Sequence, residues 1–455
     1  MKGLCALVFA TVLPAAPPQQ APRPPNLLVI VTDDQRWDGL GAAGNPLVDT
    51  PQMDRLAREG TMFCNAFVTT PICAASRASI LTGSYESHHG FTFGTPPLRE
   101  DLVARSYPVR LRAAGYRTGF VGKLGVRLPR GAAARMFDVF EPLAPPYARP
   151  QVDGSVRHLT DLSTDRAVEF LETASEDRPW CLSLSFNAPH ADDGAAQQYF
   201  WPAAQDDAYA DTVWPVPATM APEFFAAQPE FLRESESRVR YAWRFDEPAK
   251  YQRMVRGYHR MIRGVDAAIG RLRAALAARG MAERTVIVFL SDNGYFLGER
   301  GFAGKWYPYE PSIRVPLVVL DPRLDRAARR ARVDAMVLNV DVAPTLLDLA
   351  GVADAECQGA SLRPWLAGPA PAAWRDEFLV EHRFERANIP KSEGVRTARY
   401  TYLRWYEQAP VVEELYDHVV DPEQVRDLKD DPAFAEDLAR LRARTDALRE
   451  RWRAR

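Results

Sequence analysis

Asn26-Leu27-Leu28-Val29-Ile30-Val31-Thr32-Asp33-Asp34 is the stretch that decides the fold. Its first seven residues form a continuous, β-rich apolar run of the length expected for a strand buried on both faces. Two carboxylates follow at once. Runs of the same type recur at Arg117 to Val121, Trp180 to Phe186, Thr285 to Leu290 and Val315 to Leu320. Between them lie amphipathic stretches, the clearest from about Pro248 to Arg279, where Tyr251, Met254, Val255, Tyr258, Met261 and Ile262 open a three-and-four spacing that continues to Leu276. Pro248 near its start and Gly280 just beyond its end suit the two ends of a helix. The alternation predicts an α/β fold with a large mixed, mostly parallel sheet flanked by helices on both faces.

Ligands of open α/β sheets collect outside the carboxyl ends of the strands. Asp33 and Asp34 follow the first run, Gly122-Lys123 a second, Asn187-Ala188-Pro189-His190 a third and Ser291-Asp292-Asn293-Gly294 a fourth. Scattered surface charges have no reason to recur at strand ends, so these clusters are expected on one rim. Asp33, Asp34, Asp292 and Asn293 offer only oxygen, which suits a hard divalent cation such as Ca²⁺ or Mg²⁺ rather than zinc. An Asp-Asp pair alone would read as a solvated turn. Its partner at another strand end favours a metal site.

With 455 residues, 47% hydrophobic and 25% charged, the chain has the composition of an ordinary globular protein and room for a large domain plus a smaller one. A formal charge of −2 supplies no field that would draw nucleic acid or an anionic membrane. No internal run is long and apolar enough to span a bilayer. Met1-Lys2, the apolar Leu4 to Leu13 and the small residues Pro14-Ala15-Ala16 read as an export signal, and the Pro- and Gln-rich run to Pro25 reads as an extended tether. A periplasmic or secreted protein is expected. Cys64, Cys73, Cys181 and Cys357 remain beyond that segment, too few for a disulfide framework.

Thr70-Pro71-Ile72-Cys73-Ala74-Ala75-Ser76-Arg77 resembles the maturation signature of the sulfatases, in which Pro or Ala stands two residues after the Cys and Arg four residues after it. Ala75 is the less common variant. The resemblance implies that a formylglycine-generating enzyme oxidises Cys73 to formylglycine (3-oxoalanine), whose hydrate is a geminal diol. One diol oxygen attacks sulfur and releases the alcohol; the second hydroxyl then expels sulfate, which divides covalent catalysis into two easier steps. A lone Cys would ordinarily be a small buried hydrophobe. Ala78 to Leu81 reads as the opening of a helix just beyond it, and a helix N-terminus favours anions.

The same resemblance assigns Arg77 to holding the diol, Lys123 and Lys305 to the diol and sulfate oxygens, His190 to protonating the departing alcohol, and calcium to the oxygen-donor site as a Lewis acid. Asn293 favours sulfatase over the phosphonate and phosphate ester hydrolases of the same alkaline phosphatase superfamily, which commonly place His there. His259, in the middle of a helix, reads as structural. One departure stands out. Most sulfatases carry Lys-x-His where this chain has Lys123-Leu124-Gly125, which leaves the base for sulfate release to His88, His89 or a metal-bound Asp, or makes the protein a poorly active binder of sulfated glycans.

The expected organisation is a signal and tether over 1–25, a catalytic α/β domain over 26–366, and a C-terminal α+β subdomain over 367–455. Strand-like runs at Glu377 to Val380, Tyr400 to Trp405 and Glu414 to Asp417, then a charged helix from about Pro432, resemble the small sulfatase subdomain. His382 and Arg396 are candidate substrate contacts from it. Ala191 to Glu247 matches the family least and reads as a long rim loop suited to substrate selection. Sulfated carbohydrate is the expected substrate class.

Overall fold

Leu27, Val29 and Val31 face one hydrophobic core and Leu28 and Ile30 face another, so the first strand is covered on both sides as its composition requires. The computed structural model describes residues 23–353 and 356–454; the export signal read over Met1 to Ala16, and most of the tether, lie outside the described residues. An eight-stranded sheet is built from β1 (Asn26–Thr32), β2 (Thr61–Phe67), β3 (Arg117–Gly122), β4 (Val139–Pro142), β5 (Trp180–Ser185), β6 (Thr285–Ser291), β7 (Leu317–Leu320) and β8 (Arg332–Leu338). Their spatial order is β8-β2-β7-β6-β1-β5-β3-β4. Only β7 runs against its neighbours; the other pairings are parallel. The predicted mixed, mostly parallel sheet is the observed one.

The register positions the site. Thr32 lies opposite Ser291, Val31 opposite Ser185, and Ser185 opposite Gly122. Four strands therefore end in one line, and the polar residues after them are forced onto one edge. β2 points the same way as β6, since both are antiparallel to β7, so the segment after Phe67 emerges at that edge too.

One face carries α2 (Cys73–Thr82), and the other carries α1 (Pro51–Glu59), α3 (Leu159–Glu172) and α4 (Pro248–Ala278). α4 matches the predicted helix to within a residue. α2 begins at Cys73 rather than nearer Ala78, because Ile72 is still extended and its carbonyl accepts the N–H of Ser76. Every residue of α2 is buried. The expected rim loop over 191–247 is in part helical, with Glu236–Arg244 lying against Ala303–Gly304.

Beyond the large sheet, β9 (Glu377–His382), β10 (Ser392–Thr397), β11 (Tyr400–Trp405) and β12 (Val412–Asp417) form an antiparallel meander covered by α5 (Ala435–Ala454). β10 has no apolar run to announce it. It lies between two strands, with Val395 in the core; Glu393 pairs with Arg404 and with Arg449 at 2.8 Å, and Gly394 passes so close to Tyr402 that an added Cβ would sit 2.0 Å from its carbonyl oxygen.

Polar anchors fix this smaller sheet to the large one. The N–H of Glu381 donates to the Thr69 carbonyl at 2.9 Å, and buried Glu414 accepts from Tyr309 Oη at 2.8 Å, Tyr416 Oη at 2.8 Å and Trp405 Nε1 at 3.1 Å. Arg396 Nε donates to Glu310 Oε1 at 2.8 Å, with its guanidinium over the Phe67 ring. Removing one partner of a buried ion pair strands the other charge, at a cost of about 3 kcal/mol or more. Arg396→Ala is accordingly expected to lower unfolding free energy by about 3 kcal/mol in a urea titration, with KM unchanged at temperatures where the variant is folded. A raised KM in a fully folded variant would return Arg396 to the substrate.

Candidate active site

Asp33 and Asp34 stand where β1 stops. The Asp33 N–H donates to Ala188 of the segment after β5 at 3.1 Å, and that of Asp34 to Asp292 Oδ1, just beyond β6, at 3.2 Å. Asp34 takes the left-handed conformation, φ 71°, which is uncommon for a residue with a side chain. Its Oδ1 accepts Asn293 Nδ2 at 2.6 Å and pairs with Lys305, and its Oδ2 lies 3.7 Å from His190 Nε2.

Cations interleave with these acids. Lys123 pairs with Asp33 Oδ2, and Lys305 Nζ lies 3.7 Å from Asp33 Oδ1. Arg77 Nε donates to Asp292 Oδ2 at 2.6 Å, Nη2 lies 3.8 Å from Asp33, and Nη1 reaches Ser185 Oγ and the Lys123 carbonyl. Cys73 is the first residue of α2, and its side chain lies within electrostatic reach of Arg77, Lys123 and Lys305. The Trp306 N–H donates to the Pro71 carbonyl at 2.9 Å, tying the Lys305 loop to the Cys73 loop.

The electrostatics follow from burial with compensation. Loss of water would raise the Asp33 carboxyl, yet Lys123, His190, Lys305 and Arg77 hold it well below the usual carboxylate range. Burial, with Asp33 alongside, pushes Asp292 up to about 6 against the pull of Arg77. Lys305 is held well above the ordinary lysine range: its own burial opposes this, and Asp34, Asp33 and Asp292 outweigh it. His190 is lowered, by burial first and by Lys305 next. Its Nδ1 lies 2.6 Å from the Ala191 carbonyl, so Nδ1 is the donor there and Nε2 faces the cluster.

The donor set fits a hard cation. Ligand atoms of Asp33, Asp34 and His190 converge within 4.8 Å of one another, and Asp33 Oδ1 and Asn293 Oδ1 are buried without a hydrogen-bond partner. Buried oxygens of this kind ordinarily find a partner. Both oxygens of Asp292 already accept hydrogen bonds, though each carboxylate oxygen keeps a second lone pair.

Gly125 explains its own departure from Lys-x-His. It sits at φ +69°, and an added Cβ would lie 2.7 Å from Arg77 Cδ, so the Arg77 side chain fills the space a side chain would need. Neither alternative histidine joins the cluster through a hydrogen bond: His89 Nε2 lies 3.2 Å from Ser79 Oγ, and His88 Nε2 faces Arg105 at 3.3 Å. The two substrate candidates of the smaller sheet also fall elsewhere. His382 is wholly buried at the end of β9 with neither ring nitrogen bonded, and Arg396 is engaged by Glu310. For Arg396 that pair is a structural place; His382 is buried in the interior. Ser185 and Tyr258, which hold the cluster from beneath, carried no motif: one ends an apolar strand, the other belongs to the apolar stripe of α4.

A mostly parallel sheet in this strand order, with acidic and basic side chains interleaved along its carboxyl edge, is the architecture of alkaline phosphatase superfamily hydrolases. Within it the chain belongs to the sulfatase family, whose model matches residues 25–352; the model for the C-terminal region of N-sulphoglucosamine sulphohydrolase matches residues 298–451. The protein is a sulfuric ester hydrolase. It is 28% identical to an N-acetylglucosamine-6-O-sulfatase of Bacteroides thetaiotaomicron over 93% of this chain and 86% of that one. A solved structure of a protein with its substrate D-glucosamine-2-N,6-O-disulfate superposes with a TM-score of 0.83 at 26% identity, covering 95% of this chain and 99% of that one. A phosphonate monoester hydrolase from Silicibacter pomeroyi superposes at 0.77 and 26% identity, over 94% and 95%.

Forcing a side chain into the left-handed region costs about 1–3 kcal/mol, and at position 125 it also collides with Arg77. Gly125→Ala is expected to lower unfolding free energy by at least about 1 kcal/mol, and Gly125→His, which restores the usual family residue, to lower turnover by displacing Arg77 from Asp292. Faster sulfate release by Gly125→His in single-turnover kinetics would show instead that the space is free.

Proposed function

We propose that this chain is an exported, calcium-dependent hydrolase of sulfate esters carried on carbohydrate, with a formylglycine nucleophile made from Cys73. The carrying observation is the placement of Cys73 at the first turn of α2, beside Arg77, Lys123 and Lys305 and on the same edge as Asp33 and Asp34. The sulfated sugars named for the similar Bacteroides enzyme and for the substrate-bound structure support the substrate class. Maturation would require a formylglycine-generating enzyme that accepts Ala75. The segment from Met1 to Ala16 supports a periplasmic or secreted location.

Cys73, once matured to formylglycine and hydrated, would supply a diol oxygen able to attack sulfur. Asp33, Asp34, Asp292 and Asn293 would hold a calcium ion, which would supply Lewis-acid neutralisation of negative charge at the sulfate. The remaining work belongs to the side chains. Arg77, fixed on Asp292 and Ser185, orients residue 73. Lys123 and Lys305 grip sulfate oxygens in a site shielded from water, where such contacts are strong. His190 donates its Nδ1 proton to Ala191, which leaves Nε2 to carry the proton that the departing alkoxide needs.

Likeness to a phosphonate monoester hydrolase keeps a second activity in view. Asn293, an amide oxygen donor rather than an imidazole, favours calcium and sulfate. Mass spectrometry of the Cys73 peptide is expected to show formylglycine in matured protein. A panel of sulfated sugars, aryl sulfates and phosphonates should show sulfate esters turned over fastest, with activity lost on chelation and restored by Ca²⁺. Cys73→Ser is expected to reduce multiple turnover roughly a thousandfold or more; full activity in that variant would end the formylglycine reading.

A further inference from the structure

The left-handed turn at Asp34 is held from the far side of the sheet by one phenol. Tyr258, on α4, is fully buried, and its Oη donates to the Asp34 carbonyl at 2.7 Å while accepting the Arg36 N–H at 3.0 Å. The other donors of the turn point elsewhere: the Asp34 N–H goes to Asp292 and the Gln35 N–H to Ser291 Oγ at 2.9 Å. The turn is thus gripped at β6 on one side and at α4 on the other. The Tyr258 ring is fixed in turn, stacked on Tyr295 with centroids 5.8 Å apart and edge-on to Tyr199 at 6.0 Å.

A non-glycine residue at φ 71° is strained by about 1–2 kcal/mol and keeps that conformation only where its surroundings over-determine it. The conformation matters because it sets where the Asp34 carboxylate points, toward Asn293 Nδ2 and Lys305 rather than along the strand. We propose that Tyr258 is a positioning residue for the cation site, locking the Asp34 turn so that its carboxylate is aimed at the donor cluster before any ion arrives. The inference rests on the reading of Asp33, Asp34, Asp292 and Asn293 as cation ligands. It adds a residue that touches neither cation nor substrate and acts only through the backbone of a ligand.

Tyr258→Phe keeps the ring and removes only the hydroxyl. Tyr251→Phe is the matched control, since Tyr251 lies on the same helix, is buried, and bonds the Pro215 carbonyl at 2.7 Å instead of the Asp34 turn. Calcium is titrated calorimetrically into the cation-stripped full chain of each, with thermal unfolding of the stripped proteins in parallel. Outer partners of this kind typically carry ten- to a hundredfold in metal affinity. The expected result is a dissociation constant about ten- to a hundredfold weaker for Tyr258→Phe and unchanged for Tyr251→Phe, while the two lose similar thermal stability. Wild-type affinity in Tyr258→Phe, or equal weakening in both variants, overturns the proposal. A wild-type chain that takes up no calcium would sink the cation reading itself. The positioning role is then decided by a crystal structure of Tyr258→Phe, where an Asp34 still left-handed and still bonded to Asn293 overturns it and a relaxed turn upholds it.

Discussion

Asp33 is completely removed from water and still carries its charge, because Lys123, Lys305 and Arg77 approach it from three different segments of the chain. Burying a carboxylate alone would cost several kcal/mol, and so would burying any one of these cations. Together they are tolerable only in alternation. Each charge in the cluster therefore depends on the strand ends that deliver its neighbours, and the chemistry of the site and the register of the sheet are one constraint.

That register also separates duties between the two faces. α2 lies on one face and presents Cys73 from its first turn and Arg77 one turn further on, so both are placed by a helix with no exposed side. α4 lies on the other and reaches the same edge through the Tyr258 hydroxyl, which grips the backbone behind Asp34. The acidic turn is held between two independently packed cores. Packed cores deform little, which is what a site requiring fixed donor geometry needs.

The smaller sheet contributes differently. Its polar residues, Arg396, Glu414 and Glu381, form a clamp on the loops that carry Lys305 and precede Cys73. Arg396, a candidate substrate contact from this region, is instead held by Glu310. The Gly125 departure has a similar logic: Arg77 occupies the volume that a side chain at 125 would need, so local motif and distant contact change together.

The alternation of apolar runs and amphipathic stretches was enough to specify the layered sheet, and the span of α4 was legible to within a residue, since burial on both faces and burial on one stripe leave different periodicities. β2, β8 and β10 were not legible: Thr61–Phe67 mixes polar and apolar residues, Arg332–Leu338 begins with charges at its exposed end, and Ser392–Thr397 has Val395 as its one large apolar residue. The residue types after the strands, and hence an edge crowded with acidic and basic side chains, belong to the sequence alone, because they follow from composition at chain positions. Which of those residues meet, the collision that keeps Gly125 bare, and the reach of Tyr258 across the sheet were decided by tertiary structure. They depend on distances between segments from tens to hundreds of residues apart, and no local pattern encodes those distances.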